Sequence, residues 1–312
     1  MRYLYDALST TLSTVFVDRF GDRYFKDVYD SEVLDPTREG DMGRFLTLFV
    51  CLAFAALSSV AHADHSWGSY HWGRTANPFS LTLGNNVSNA WSPYLSEAAS
   101  DWAPSRVLDV SVGTGGTTAD PKKCRPTAGR VEVCSASYGG AWLGVAQIWI
   151  SGGHIYQATT KVNDFYFTKP KYNTPAWRRL VMCQEVGHTF GLDHQDENFS
   201  NGNLGSCMDY TSDPDGPPSN EHPNSHDFQQ LETIYNGHKD STTSANQASA
   251  RNVPPPAMND IDLEGPGQWG KLVRSTRGGR LELYELDFGG GHKIFTFVIW
   301  PDEEDRGRGK PR

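Results

Sequence analysis

The stretch that most constrains this chain runs Cys183-Gln184-Glu185-Val186-Gly187-His188-Thr189-Phe190-Gly191-Leu192-Asp193-His194. It has the form Q-E-x-x-H-x-x-G-x-x-H, one letter from the long zinc signature H-E-x-x-H-x-x-G-x-x-H. On a helix, positions 184 and 188 lie one turn apart on the same face, so side chains spaced this way can grip one ion. Glu185 falls about 100° further round, where a carboxylate reaches water beside the ion without being a ligand. Gly191 lets the chain leave the helix at a sharp angle, which swings His194 back toward the ion.

Gln184 stands where the signature has its first histidine. Its amide oxygen preserves the reach of an imidazole Nε2 but is a poorer zinc donor. Three readings stay open: Gln184 ligates weakly, Asp193 or a distant histidine substitutes, or the site has lost its metal. A buried Gln-x-x-x-His face needs hydrogen-bond partners or an ion, which disfavours a purely structural helix.

Around this stretch the sequence reads as a mixed α+β domain. Thr174 and Pro175 supply an N-cap and a first-turn proline for the helix that carries the motif. A second helix is expected from about Ser88 to Trp102, where Trp91, Tyr94, Leu95, Ala98 and Trp102 recur at helical spacing. A third is expected over Ser225–Tyr235, capped by Ser225. Arg106–Val112, Arg130–Ala136, Ala141–Ile150 and His154–Val162 alternate as strands. The last of these, as an edge strand, would take an extended substrate. The glycines at 113, 115 and 116 lack a phosphate-loop context.

The chain has 312 residues and a net charge of −9, with no basic footprint for nucleic acid. Residues 1–41 read as a disordered leader or a mis-assigned start. Residues 42–63 read as a signal peptide: Met42-Gly43-Arg44, an apolar run from Phe45, and the A-x-A site Ala61-His62-Ala63. Cleavage there predicts a secreted, extracellular chain with no membrane association. Export leaves Cys124, Cys134, Cys183 and Cys207 as an even set; proximity favours Cys124–Cys134, with Cys183–Cys207 tying the motif helix to the segment of Met208. Asn86-Val87-Ser88 and Asn198-Phe199-Ser200 are sequons.

The catalytic domain is expected to span 64–240, followed by a Ser/Thr/Asn/Pro-rich linker at 241–264. Strands at Gly270–Ser275, Leu281–Phe288 and Lys293–Trp300 predict a small β appendage over 265–301, and 302–312 a disordered tail. Calcium is a second candidate cofactor, through Asp193, Asp196, Glu197, Asp209, Asp213 and Asp215, although no spacing matches an EF-hand loop. His71 and His154 read as packed or surface residues, and His222, His226 and His238 as reserve ligands.

The motif together with Cys207-Met208-Asp209-Tyr210 resembles the metzincin metallopeptidases, matrixin-like ones in particular. The resemblance covers roughly residues 64–240, its specific part only 183–210. It implies a mixed twisted sheet with an active-site helix and a C-terminal helix. It also implies zinc held by His188, His194 and the Gln184 position, Glu185 as general base, Met208 in a tight turn beneath the metal and Tyr210 near the reacting centre. The function so implied is a zinc-dependent endopeptidase acting on polypeptide through metal-activated water. The alternative is a secreted binding protein that keeps the fold with a weak or inactive site.

Overall fold

The computed structural model describes residues 65–66, 68–199, 201–243, 254–258, 261, 263–276 and 279–306, together with two short strands, β1 (Val15–Val17) and β2 (Arg23–Phe25), which pair antiparallel. Residues 1–62 and 63–312 form separate compact units. The signal-peptide expectation for 42–63 lies outside the described residues, as do most of 1–41 and the tail beyond 306.

The larger unit is α+β: one mixed sheet and, among the described residues, three helices. In chain order come β3 (His71–Trp72), β4 (Phe79–Asn86), α1 (Ser92–Trp102), β5 (Leu108–Thr114), β6 (Val131–Ala136), β7 (Gly144–Ser151) and β8 (His154–Asn163). There follow α2 (Pro175–Thr189), α3 (Ser225–Asn236), β9 (Lys271–Ser275), β10 (Leu281–Gly289) and β11 (His292–Ile299). The strand order is β5-β4-β6-β8-β7-β11-β10-β9, with β3 paired to the start of β8. The β5-β4-β6-β8 stretch is parallel, because β4 reaches β5 through the crossover helix α1. From β8 onward each neighbour is antiparallel.

This order places β8 inside the sheet, between β6 and β7, so the expectation that it forms a substrate-binding edge is incorrect. The C-terminal strands likewise differ from an appendage. β11 pairs with β7 from His292↔Ser151 to Ile299↔Gly144 and carries the sheet onward through β10 and β9. The reason lies in β7, whose residues are all buried: Ala146, Ile148 and Ile150 face the main core, while Val145 and Trp149 face a second one. A strand apolar on both faces needs cover on both. β11 and β10 extend that second face through Ile294, Val298 and Tyr284, and Met258, Leu263 and Trp269 pack against it, so part of the expected linker is packed. Trp149 Nε1 donates to the Met258 carbonyl at 3.0 Å and Trp269 Nε1 to that of Leu263 at 2.8 Å.

The helices α1 and α2 lie on the main core through Leu95, Trp102, Trp177, Leu180 and Val181. Thr174 caps α2, its hydroxyl accepting from Trp177 N at 3.2 Å. The α3 cap is Asn224 rather than Ser225: Asn224 accepts from the N–H groups of His226 and Asp227, and Asp227 returns a bond to Asn224 N. Both disulfides form as expected, Cys124–Cys134 and Cys183–Cys207. Asn86 is buried, with its amide on Glu132 Oε2 at 2.7 Å, and so is not open to glycosylation. At the end of the described chain, Asp302 and Asp305 hold Lys171 rather than starting a loose tail. No helix among the described residues is long and apolar enough to cross a membrane.

Candidate metal centre

The α2 helix runs through the motif and stops at Phe190, and Gly191 takes φ +101°, a left-handed conformation that turns the chain back. A side chain at 191 would also press on the Tyr70 carbonyl, 3.0 Å from an added Cβ. The turn lets Leu192 O accept a bond from His188 Nδ1–H at 2.9 Å. A carbonyl can only accept, so this bond fixes the His188 tautomer and leaves a lone pair on Nε2. That lone pair meets His194 Nε2 at 2.9 Å. His194 Nδ1 in turn lies 2.7 Å from the Tyr210 hydroxyl.

The sequence motif thus brings His188, His194 and Tyr210 into one chain of contacts. Two proton arrangements satisfy it. In one, Tyr210 donates to His194, whose Nε2–H donates to His188. In the other, His194 donates from Nδ1 to Tyr210 and both Nε2 atoms present lone pairs to one point, the arrangement a cation requires.

The Gln184 side chain donates from Nε2 to the Cys207 carbonyl at 2.9 Å, beside the Cys183–Cys207 bridge, and its Oε1 has no hydrogen-bond partner among the described residues. Glu185 Oε2 is in the same condition. Both residues are 1 % exposed. Burial pushes the Glu185 carboxyl well above the usual carboxylate range. Burial also lowers His188 far below an ordinary histidine, with His194 adding repulsion, and lowers His194 to about 4. The donor set therefore suits a borderline cation: neutral imidazoles, a spare amide oxygen and a carboxyl that a nearby positive charge would ionise.

Met208 lies under the helix against Gly187, where an added Cβ would come 2.6 Å from its sulfur. Only glycine permits that approach. Of the acidic residues considered for calcium, Asp193 accepts from Arg274 Nη1 at 2.7 Å, Glu197 lies 3.3 Å from Arg274 Nε, and Asp209 accepts from Leu204 N and Asn220. Asp193 is paired with Arg274, yet with His194 and Glu197 it also offers ligand atoms that all lie within 4.8 Å of one another, so the place of Gln184 as third ligand is not the only one the fold offers. The reserve histidines are engaged elsewhere: His222 on Asp101 and His226 stacked on His65.

Sequence reasoning missed the lid of this site. The Phe297 ring of β11 stacks on His188 with centroids 4.6 Å apart. Phe297 and Leu283, with Arg274, Glu197 and Tyr210, enclose a cavity of about 10 Å³ beside His194, room for roughly one water. Nothing in the local spacing of 281–299 marks it as a lid, since its strands alternate like any hairpin. Compared with known proteins, the sequence matches no family model and no curated relative.

Proposed function

We propose that this chain is a secreted zinc-dependent endopeptidase of metzincin type, held in a closed form by its own C-terminal strands. The observation that carries the reading is the meeting of His188 Nε2 and His194 Nε2 at 2.9 Å, on a helix whose preceding turn carries two buried acceptor atoms, Gln184 Oε1 and Glu185 Oε2, with no hydrogen-bond partner among the described residues. His188, His194 and Gln184 would hold the metal. Bound zinc supplies Lewis acidity to water and to a scissile carbonyl. Glu185, one position further along the helix from Gln184, would take the proton of the attacking water as its carboxylate and hand it to the leaving amine. Tyr210 orients His194 through the 2.7 Å contact and offers a hydroxyl donor to the negative charge that develops on the substrate.

An extended peptide would pair with β7. Gly144 of that strand adjoins Glu185 so closely that an added Cβ would stand 2.8 Å from Oε1. β11 now occupies that side of β7, pairing Ile299 with Gly144. Peptide entry therefore requires β11 to leave. Export fits the pair of disulfides and the A-x-A site.

The same cover favours a second reading, a binding protein with an impaired site: Phe297 on His188 and an amide at 184 both weigh against turnover. Cleavage of an unfolded protein substrate separates the two. The endopeptidase reading expects chelator-sensitive cleavage that Glu185→Ala abolishes while zinc is retained. Zinc-replete protein that binds the metal through His188 and His194 yet leaves the substrate intact would establish the second reading.

A further inference from the structure

A second group of histidines lies away from the motif. His71 of β3 stands in register beside His154, the first residue of β8. His238 and Asp240 follow α3, and the backbone bond from Asp240 N to Arg74 O, 2.9 Å, folds them over β3. His71 Nδ1 lies 2.7 Å from the Ser69 carbonyl, which can only accept, so the ring N–H is at Nδ1 and Nε2 carries a lone pair. That lone pair faces His238 Nε2 at 2.9 Å and the Asp240 oxygens at 3.4 and 3.5 Å. Three electron-rich atoms thus converge on one point. Donors around one tetrahedral zinc stand about 3.3 Å apart, close to these separations.

The surroundings are arranged as a metal site requires. Asp240 Oδ2 is held by Arg74, through Nη1 at 2.9 Å and the backbone N–H at 3.0 Å, which aims Oδ1 at the histidines. His154 Nε2 lies 3.0 Å from that Oδ1. The bond from His71 Nδ1 to the Ser69 carbonyl is the kind that orients a ligating imidazole. His238 is about half-exposed, with 48 % of its side chain accessible, so an ion can enter from that side.

We infer that His71, His238 and Asp240 form a second divalent-metal site, with His154 braced on the carboxylate. The site takes zinc or a similar borderline cation, since two imidazoles and one carboxylate suit neither calcium nor magnesium. Its consequence is structural: the ion staples the segment after α3 to β3 and so ties both ends of the 71–240 region together. It makes no use of Glu185, and it stands whether or not the motif site is catalytic.

The test is zinc content of the full chain, measured on wild type, His238→Gln and Asp240→Asn after equilibration with buffered free zinc. His238 is exposed enough that its replacement leaves folding intact, which circular dichroism checks. Each variant is expected to hold about one equivalent less than wild type, whatever the motif site contributes. Added zinc should raise the wild-type melting temperature more than that of either variant. Equal zinc in wild type and variants, or no zinc in any of them, would overturn the inference and leave a cluster joined by hydrogen bonds alone.

Discussion

The two histidine clusters are assembled in opposite ways. His188 and His194 are six residues apart and both come from one helix and its terminal turn, at the bottom of the sheet's main core. His71 and Asp240 are 169 residues apart, and their cluster is built where three separate segments meet at the surface. His188 is 1 % exposed and capped by Phe297, whereas the His238 side chain is 48 % exposed. A short motif fixes a site before the fold is complete; a site gathered from distant segments exists only once the fold is made. In the first a metal can act on a substrate that reaches the helix, while in the second its work is to hold those segments together.

Removing the cap tests this contrast hardest. Phe297 is 2 % exposed and packs on His188 from a strand paired to β7. Phe297→Ala should destabilise the fold by about 3–5 kcal/mol, read by denaturant unfolding. With wild type, a chelator should strip zinc in two phases, the His238 cluster first and the motif site far more slowly. Phe297→Ala should speed only the slow phase and raise the rate of protein cleavage. An unchanged slow phase would show that something other than β11 shields the motif histidines.

Acid sharpens the comparison next. In chelator-treated protein His194 titrates at about 4 when folded, against its ordinary 6.5. Between those values the unfolded chain binds more protons, so stability is full above about pH 6.5 and falls as the pH drops toward 4. The lost stability from this one group is about 3 kcal/mol, and burial of His188 acts in the same sense. His71 is also lowered by burial, but Asp240 and the Ser69 carbonyl favour its charged form. Urea unfolding across this range should therefore show a steep acid limb that His194→Gln flattens more than His71→Gln does. Equal flattening would mean that the surface cluster is as costly to protonate as the buried one.

How legible each cluster was follows from the same geometry. Helix period and a glycine turn are local, so His188, His194, Thr174 and the three helices could be read along the chain. The strands β5 to β11 could be read too, but not which of them are neighbours. Alternation marks a strand without naming its partner, and so β8 looked like an edge and β9 to β11 like an appendage. What decided the pairing was β7, apolar on both faces through Ala146, Ile148, Val145 and Trp149, a run as consistent with a hairpin as with a strand awaiting cover. Phe297 over His188 follows from that pairing alone. The His71 cluster had no local signal of any kind: its residues became neighbours through the β3–β8 register and the turn after α3.

The smallest effect tests the odd residue of the motif. Gln184 gives its amide N–H₂ to the Cys207 carbonyl while Oε1 has no hydrogen-bond partner among the described residues, so the bond to Cys207 orients the oxygen as a backbone contact orients a ligating histidine. If that oxygen is the third ligand, Gln184→His replaces a neutral amide by imidazole at the same reach and should tighten zinc at the motif site by about tenfold, near 1.4 kcal/mol. The His71 cluster should keep its affinity, since its hydrogen bonds run to Ser69, Arg74, His154, His238 and Asp240 rather than to α2. Competition against a zinc-binding dye resolves the two sites in a chain carrying His238→Gln, where only the motif site remains. Unchanged affinity in that background would mean that the buried amide does not reach the metal, and that the motif holds its ion through His188 and His194 without it.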